Sequence, residues 1–132
     1  MIAVDTSALI AIVLHEEPGS DCSAVMKAED RLLISAATVV EALIVAYRRD
    51  ASEEMQALLD GAEFDVIPVT ADQTRRIADA HAKWGRGAKT AGLNFGDCFA
   101  YDLAKANDCP LLYVGRDFAK TDVKSALKNK RR

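Results

Sequence analysis

Four short apolar runs divide this chain, and almost everything between them has the pattern of a helix. The runs are Ile2-Ala3-Val4, Leu32-Leu33-Ile34, Phe64 to Val69 and Leu111 to Val114. Uninterrupted apolar strands belong to sheets covered on both faces. Strands separated by helices cannot pair as tight hairpins, so they run parallel. The spacing therefore predicts a three-layer α/β/α fold with a central, mostly parallel sheet of four to five strands. Ligands in such sheets bind beyond the carboxyl ends of the strands.

The helical segments follow from local signals. Ser7 to Leu14 is rich in Ala and Leu, and Pro18-Gly19 separates it from a second helix ending near Ala28. Ala37 to Arg49 is apolar on nearly every face, which predicts a buried helix. Ser52 to Ala62 is amphipathic. Thr70 and Gln73 form a T-x-x-Q capping box for a helix running to about Trp84. Gly85 to Gly92 reads as a flexible basic loop carrying Arg86 and Lys89. A further helix spans about Asn94 to Asn107, and the basic tail from Lys124 to Arg132 is expected to fray.

A chain of 132 residues fits one domain, 1–132, and can bury a core without staples. Hydrophobic residues at 50% and charged residues at 28% exclude a disordered chain. Three cysteines without a CxxC spacing argue against a disulfide framework or a zinc ribbon. Reduced thiols and a cytoplasmic location are expected. Asp5 interrupts the first apolar run and no basic segment precedes it, so no signal peptide is expected. No apolar stretch is long enough to span a bilayer, and no membrane role is expected. A net charge of -3 argues against nonspecific coating of nucleic acid. It leaves a nuclease open, because acids in a metal site lower the net charge.

The acids at the ends of these elements carry the functional reading. Asp5 follows the first strand, where an N-capping aspartate is also common. Glu41 lies among Val39, Val40, Ala42, Leu43 and Ile44; in a buried helix it must be paired, bound to a metal or turned out through a polar seam. Asp97 stands three residues after Asn94 and would complement a helix dipole there. Asp117 follows the last strand, where a turn aspartate is ordinary. No single acid decides the matter, but all four can converge at one sheet edge. Two carboxylates about 4 Å apart repel by roughly 4 kcal/mol at an effective dielectric near 20. A hard cation such as Mg²⁺ removes that repulsion and takes oxygen ligands.

The segments IAVDTSALIAI, TVVEAL, GLNFGDCFAYDLAKA and PLLYVGRDFAKTDV resemble the PIN-domain nucleases, and among them the VapC-type toxins of prokaryotic toxin–antitoxin pairs. The resemblance spans nearly the whole chain in order. It implies that Asp5, Glu41, Asp97 and Asp117 are the metal-site acids. Asp5 and Asp97 would be direct ligands, and Glu41 and Asp117 would act through water or a second ion. Thr6 or Ser7 would supply a hydroxyl. The implied activity is Mg²⁺-dependent cleavage of RNA, with Mn²⁺ able to substitute, through attack of water on phosphorus. The implied partners are RNA, a cognate antitoxin in a hetero-oligomer, and a second copy in a homodimer. The antitoxin is expected between the first helix and the helix from Ser52. The alternative is a PIN-like module that binds RNA or protein without cutting.

Other chemistry is thin. His15 and His81 lie near no motif, and Cys98 has no histidine partner in sequence. Arg86 and Lys89 are the expected phosphate contacts, because their loop directly precedes Asp97. Asp102 departs from the simplest form of the pattern and reads as a surface or intersubunit residue. Asp122 is a further acid whose place is open.

Overall fold

The computed structural model describes residues 1–87 and 91–127. Lys89 and the end of the tail, from Lys128 to Arg132, lie outside the described residues. The elements in chain order are β1 (Ile2–Val4), α1 (Thr6–Val13), α2 (Gly19–Ala28), β2 (Leu32–Ser35), α3 (Ala36–Arg48), α4 (Ser52–Gly61), β3 (Asp65–Ile67), α5 (Thr74–Trp84), α6 (Phe95–Ala106) and β4 (Leu111–Leu112).

The strands form one sheet in the order β3-β2-β1-β4. Every pairing is parallel, with Ile2 opposite Leu32, Ala3 opposite Leu111 and Leu33 opposite Asp65. The chain lays β2 and β3 on one side of β1, then crosses through α5 and α6 to place β4 on the other. The switch point of the sheet is therefore the crevice between β1 and β4, where a ligand site is expected.

Side chains of a strand alternate between faces, and the two cores follow that alternation. Ala3, Leu33 and Leu111 join a cluster with Ile77, Ala80, Leu93, Tyr101 and Leu103 of the α5–α6 side. Ile2, Val4, Leu32, Ile34 and Leu112 join the opposite cluster with Leu9, Met26, Ala42 and Met55 of α1 to α4. This is the predicted three-layer arrangement. Among the described residues, no helix is long and apolar enough to cross a membrane.

Several local expectations change. The Thr70–Gln73 capping box forms, but it first closes a 3₁₀ turn over Ala71–Gln73, and α5 begins at Thr74. The strand expected over Phe64 to Val69 is confined to Asp65–Ile67, where Asp65 and Val66 are exposed. The loop after α5 is pinned at its base: Arg86 N–H donates to the Leu93 carbonyl at 2.9 Å and Leu93 N–H to the Trp84 carbonyl at 3.0 Å. The largest correction concerns α3. It buries only Thr38, Ala42 and Ala46. Val40, Leu43, Ile44 and Tyr47 are 55%, 36%, 47% and 77% exposed. These four share one face at helical spacing, so an apolar composition did not mean a buried helix.

Candidate active site

Asp5 leaves β1 in an extended conformation and N-caps α1. Its Oδ2 accepts from the Ser7 backbone N–H at 3.0 Å and from the Ser7 hydroxyl at 2.6 Å. Ser7 Oγ also accepts from the Val114 backbone N–H at 2.9 Å. Asp5 N–H donates to the Leu112 carbonyl at 3.0 Å. One hydroxyl thus joins the ends of β1 and β4 at the switch point and orients Asp5 between them.

The second oxygen of Asp5 is the anomaly. Asp5 is only 3% exposed, and its Oδ1 is buried with no hydrogen-bond partner among the described residues. An unpaired buried acceptor is costly. Burial pushes the Asp5 carboxyl up to about 7; the two Ser7 hydrogen bonds oppose this, and the charges of Asp97 and Glu41 add to it.

Glu41 reaches the same place from α3. Its Oε1 accepts from the Thr6 hydroxyl at 2.7 Å. Its carboxylate lies against Gly96 in the first turn of α6, where an added Cβ would stand 2.5 Å from Oε2. Glu41 is therefore neither buried among apolar neighbours nor turned fully outward. It fills a polar seam between two helices.

Asp97 completes a capping box with Asn94: Asp97 N–H donates to Asn94 Oδ1 and Asn94 N–H to Asp97 Oδ2, both at 2.9 Å. Burial raises its carboxyl above the ordinary range; the Asn94 backbone bond lowers it, Glu41 and Asp117 raise it and Arg86 lowers it. Asp117 is exposed after β4, at the head of a 3₁₀ turn over Phe118–Lys120. Its Oδ1 faces Gly92, 4.0 Å from where a Cβ would lie.

The structure thus brings Asp5, Glu41 and Asp97 into mutual electrostatic reach, with Asp117 and Arg86 acting on Asp97. The bland roles hold at the same time, since Asp5 caps a helix and Asp97 closes a capping box. Among the described residues, no three His, Cys, Asp or Glu side chains stand close enough to enclose an ion by themselves. The donor set still fits a hard cation. Asp5 Oδ1 is an unused buried oxygen beside two further carboxylates, and Mg²⁺ keeps several waters and takes only one or two carboxylates directly.

Two acids fall elsewhere. Asp102 is buried, correcting its surface reading. It accepts from Arg76 Nε at 2.8 Å and Nη2 at 2.9 Å, a bidentate pair across α5 and α6. Asp122 accepts from the Tyr101 hydroxyl at 2.5 Å and pairs with Lys105 at 3.3 Å. Tyr101 in turn accepts from Trp84 Nε1 at 3.0 Å, so Asp122 ties the last segment to α5 and α6. His15 and His81 are exposed. Cys98 is buried and its thiol is pushed up to about 11 by burial, which suits packing and not nucleophilic attack.

Sequence reasoning gave Gly96 no part in the site. Its helical position instead admits the Glu41 carboxylate. It also passed over Thr38, whose buried hydroxyl has no partner among the described residues. The signal was a hydroxyl one turn before Glu41, in TVVE.

The sequence matches the PIN domain family over residues 2–124. It is 37% identical over 125 residues to ribonuclease VapC30 of Mycobacterium tuberculosis, covering 92% of this chain and 95% of that protein. In structure it is similar to Mycobacterium tuberculosis VapC20, described as a Sarcin-Ricin loop cleaving toxin, with a TM-score of 0.75 at 16% identity over 93% of this chain and 96% of that one. It is also similar to a chain of a toxin-antitoxin complex from Klebsiella pneumoniae, with a TM-score of 0.67 at 18% identity over 90% and 91%.

Proposed function

This chain belongs to the PIN-domain family, and on that premise we propose that it is an endoribonuclease toxin dependent on Mg²⁺ or Mn²⁺ and restrained by a cognate antitoxin. The observation that carries the reading is the Oδ1 of Asp5, buried without a partner among the described residues and within the charge of Asp97 and Glu41. Such a set is unfavourable by itself and becomes favourable around a cation.

Asp5 and Asp97 would hold the cation directly. Glu41 and Asp117 would act through water or a second ion. Bound there, the cation supplies what phosphodiester hydrolysis needs, a water of lowered pKa and neutralisation of the phosphate charge. The chain does the rest. Ser7 and Thr6 keep Asp5 and Glu41 aimed into the crevice. Arg86, and Lys89 in the same loop, contact phosphates and position the strand without reading its sequence. Water adds to phosphorus, the ester P–O bond breaks, and the departing oxygen takes a proton. No covalent intermediate on the protein is required.

The partners follow the same reading. The outward face of α3 is apolar enough to seat a second copy in a homodimer. For the antitoxin, α1 packs against both α2 and α4, so the open apolar cleft on that side lies between α2 and α4. Met26, Leu32 and Leu58 line it. That cleft shares α4 with the expected groove of α1 and α4, and an antitoxin segment would lie along it.

Cleavage of total RNA tests the activity. Antitoxin-free protein should cut at discrete sites with millimolar Mg²⁺ or Mn²⁺ and not with chelator, and Asp97→Asn should abolish cutting. RNA left intact under all metal conditions would favour the non-cutting binding module.

A further inference from the structure

We propose that Phe95 and the cleft beside it form a subsite for an unpaired nucleobase of the RNA, adjoining the phosphate that is cut. The inference rests on the ribonuclease reading above and extends it to how the strand is held.

Phe95 is 76% exposed at the first position of α6. A large aromatic ring in water is unfavourable unless something covers it in use. The ring is braced by Phe99 one turn on, edge to face, with centroids 5.0 Å apart and planes at 75°. That contact holds the ring while leaving most of its surface open. An apolar cleft of about 450 Å³ runs from it between α5 and α6, walled by Val69, Ile77 and Phe99 with Thr74 and His81 among its lining.

The position relative to the acids indicates the occupant. Gly96 separates Phe95 from Asp97 and faces the Glu41 carboxylate. Residues two apart on a helix leave the axis about 200° from each other. Phe95 therefore cannot touch a phosphate held at Asp97, but stands where the base of an adjoining nucleotide would swing. An unpaired base has flat π faces for the ring and polar edges for other partners. The Thr74 hydroxyl donates to the Ala71 carbonyl at 2.8 Å and keeps acceptor capacity, and His81 brings an imidazole. Stacking of splayed bases on aromatic side chains is the usual way proteins hold single-stranded RNA. The cores of protein interfaces are depleted of charge, whereas the residue next to Phe95, Gly96, has the Glu41 carboxylate against it. A base always arrives beside a phosphate, which Arg86 and a cation would receive.

The test uses the full chain and a short fluorescent single-stranded oligoribonucleotide, with Ca²⁺ for binding and Mg²⁺ for cleavage. Phe95→Ala should weaken binding about 5- to 100-fold, and Phe95→Trp should restore it. An abasic ribose at one position of the strand should cost the wild type a similar factor and cost Phe95→Ala nothing further. Unchanged binding by Phe95→Ala would overturn the proposal. So would equal abasic losses in both proteins. Light scattering separates the rival occupant: if Phe95→Ala dissociates a dimer while binding RNA normally, the ring belongs to a second copy. If the wild type binds in a Phe95-dependent way but cuts nothing in Mg²⁺ or Mn²⁺, the subsite stands and the ribonuclease reading falls.

Discussion

The Thr6 hydroxyl donates to Glu41 Oε1 at 2.7 Å, linking the first turn of α1 to the middle of α3 across 35 positions of sequence. Its neighbour Ser7 holds Asp5. Adjacent hydroxyls thus orient two different carboxylates. Thr6→Val keeps the shape and removes the donor. Hydrogen bonds to charged groups contribute about 1.5–3 kcal/mol. We expect RNA cleavage to fall about tenfold or more and unfolding free energy by about 1–2 kcal/mol, with Thr6→Ser near wild type in both. Urea melts beside cleavage rates provide the check.

Stability without metal should depend on pH in an unusual direction. An ordinary acidic side chain that is salt-bridged stabilises a protein as pH rises. Here burial raises Asp5 to about 7 and raises Asp97 as well, against about 4 in the unfolded chain. The folded state therefore binds more protons than the unfolded one between those values. Its stability is greatest below about pH 4 as far as these groups decide it, and falls as pH rises toward about 7. In chelator, the melting temperature should drop across that window. Millimolar Mg²⁺ should flatten the drop, since a ligand of the folded state stabilises it. Asp5→Asn in chelator at pH 7.5 should melt above the wild type and cut no RNA. A mutant that melts lower would count against a strained, metal-seeking carboxylate.

Gly96→Ala should separate activity from stability. Alanine favours a helix over glycine by about 1 kcal/mol, yet its Cβ would meet Glu41 Oε2 at 2.5 Å. Glu41 must then move. Cleavage should fall by about a hundredfold, because small misplacements at a site cost that much, while the melting temperature changes little. Wild-type rates in the alanine protein would show that the position of Glu41 is unimportant.

The Arg76–Asp102 pair should matter only for stability. Asp102 is nearly enclosed, whereas Arg76 is about half exposed, so solvent screens part of the attraction. Asp102→Ala should cost about 1–2 kcal/mol, with cleavage at low temperature unchanged. A loss of activity exceeding the loss of folded protein would give the pair a role at the site.

The α3 face should govern self-association. A glutamate at Ile44 or Tyr47 would place charge on the exposed apolar stripe. Sedimentation should show the wild type as a dimer and either variant as a monomer, with the fold intact by circular dichroism.

What the sequence determined by itself is what short-range chemistry encodes. Apolar runs broken by helical segments specified a parallel sheet between helices. Thr70 with Gln73 announced a capping box, and Asn94 ahead of Asp97 announced a helix start, because a cap is made within one turn of chain. Acids at the ends of β1 and β4 marked the sheet edge where the candidate site lies. The tertiary structure decided everything that depends on which surfaces meet. It turned the apolar stripe of α3 outward, enclosed Asp102 against Arg76, and gave Asp122 to Tyr101. It also left one oxygen of Asp5 buried without a partner among the described residues and brought Glu41 onto Gly96. Burial and charge interaction are sums over neighbours far apart in sequence. A helix with apolar residues on every side reads the same whichever face the rest of the chain covers.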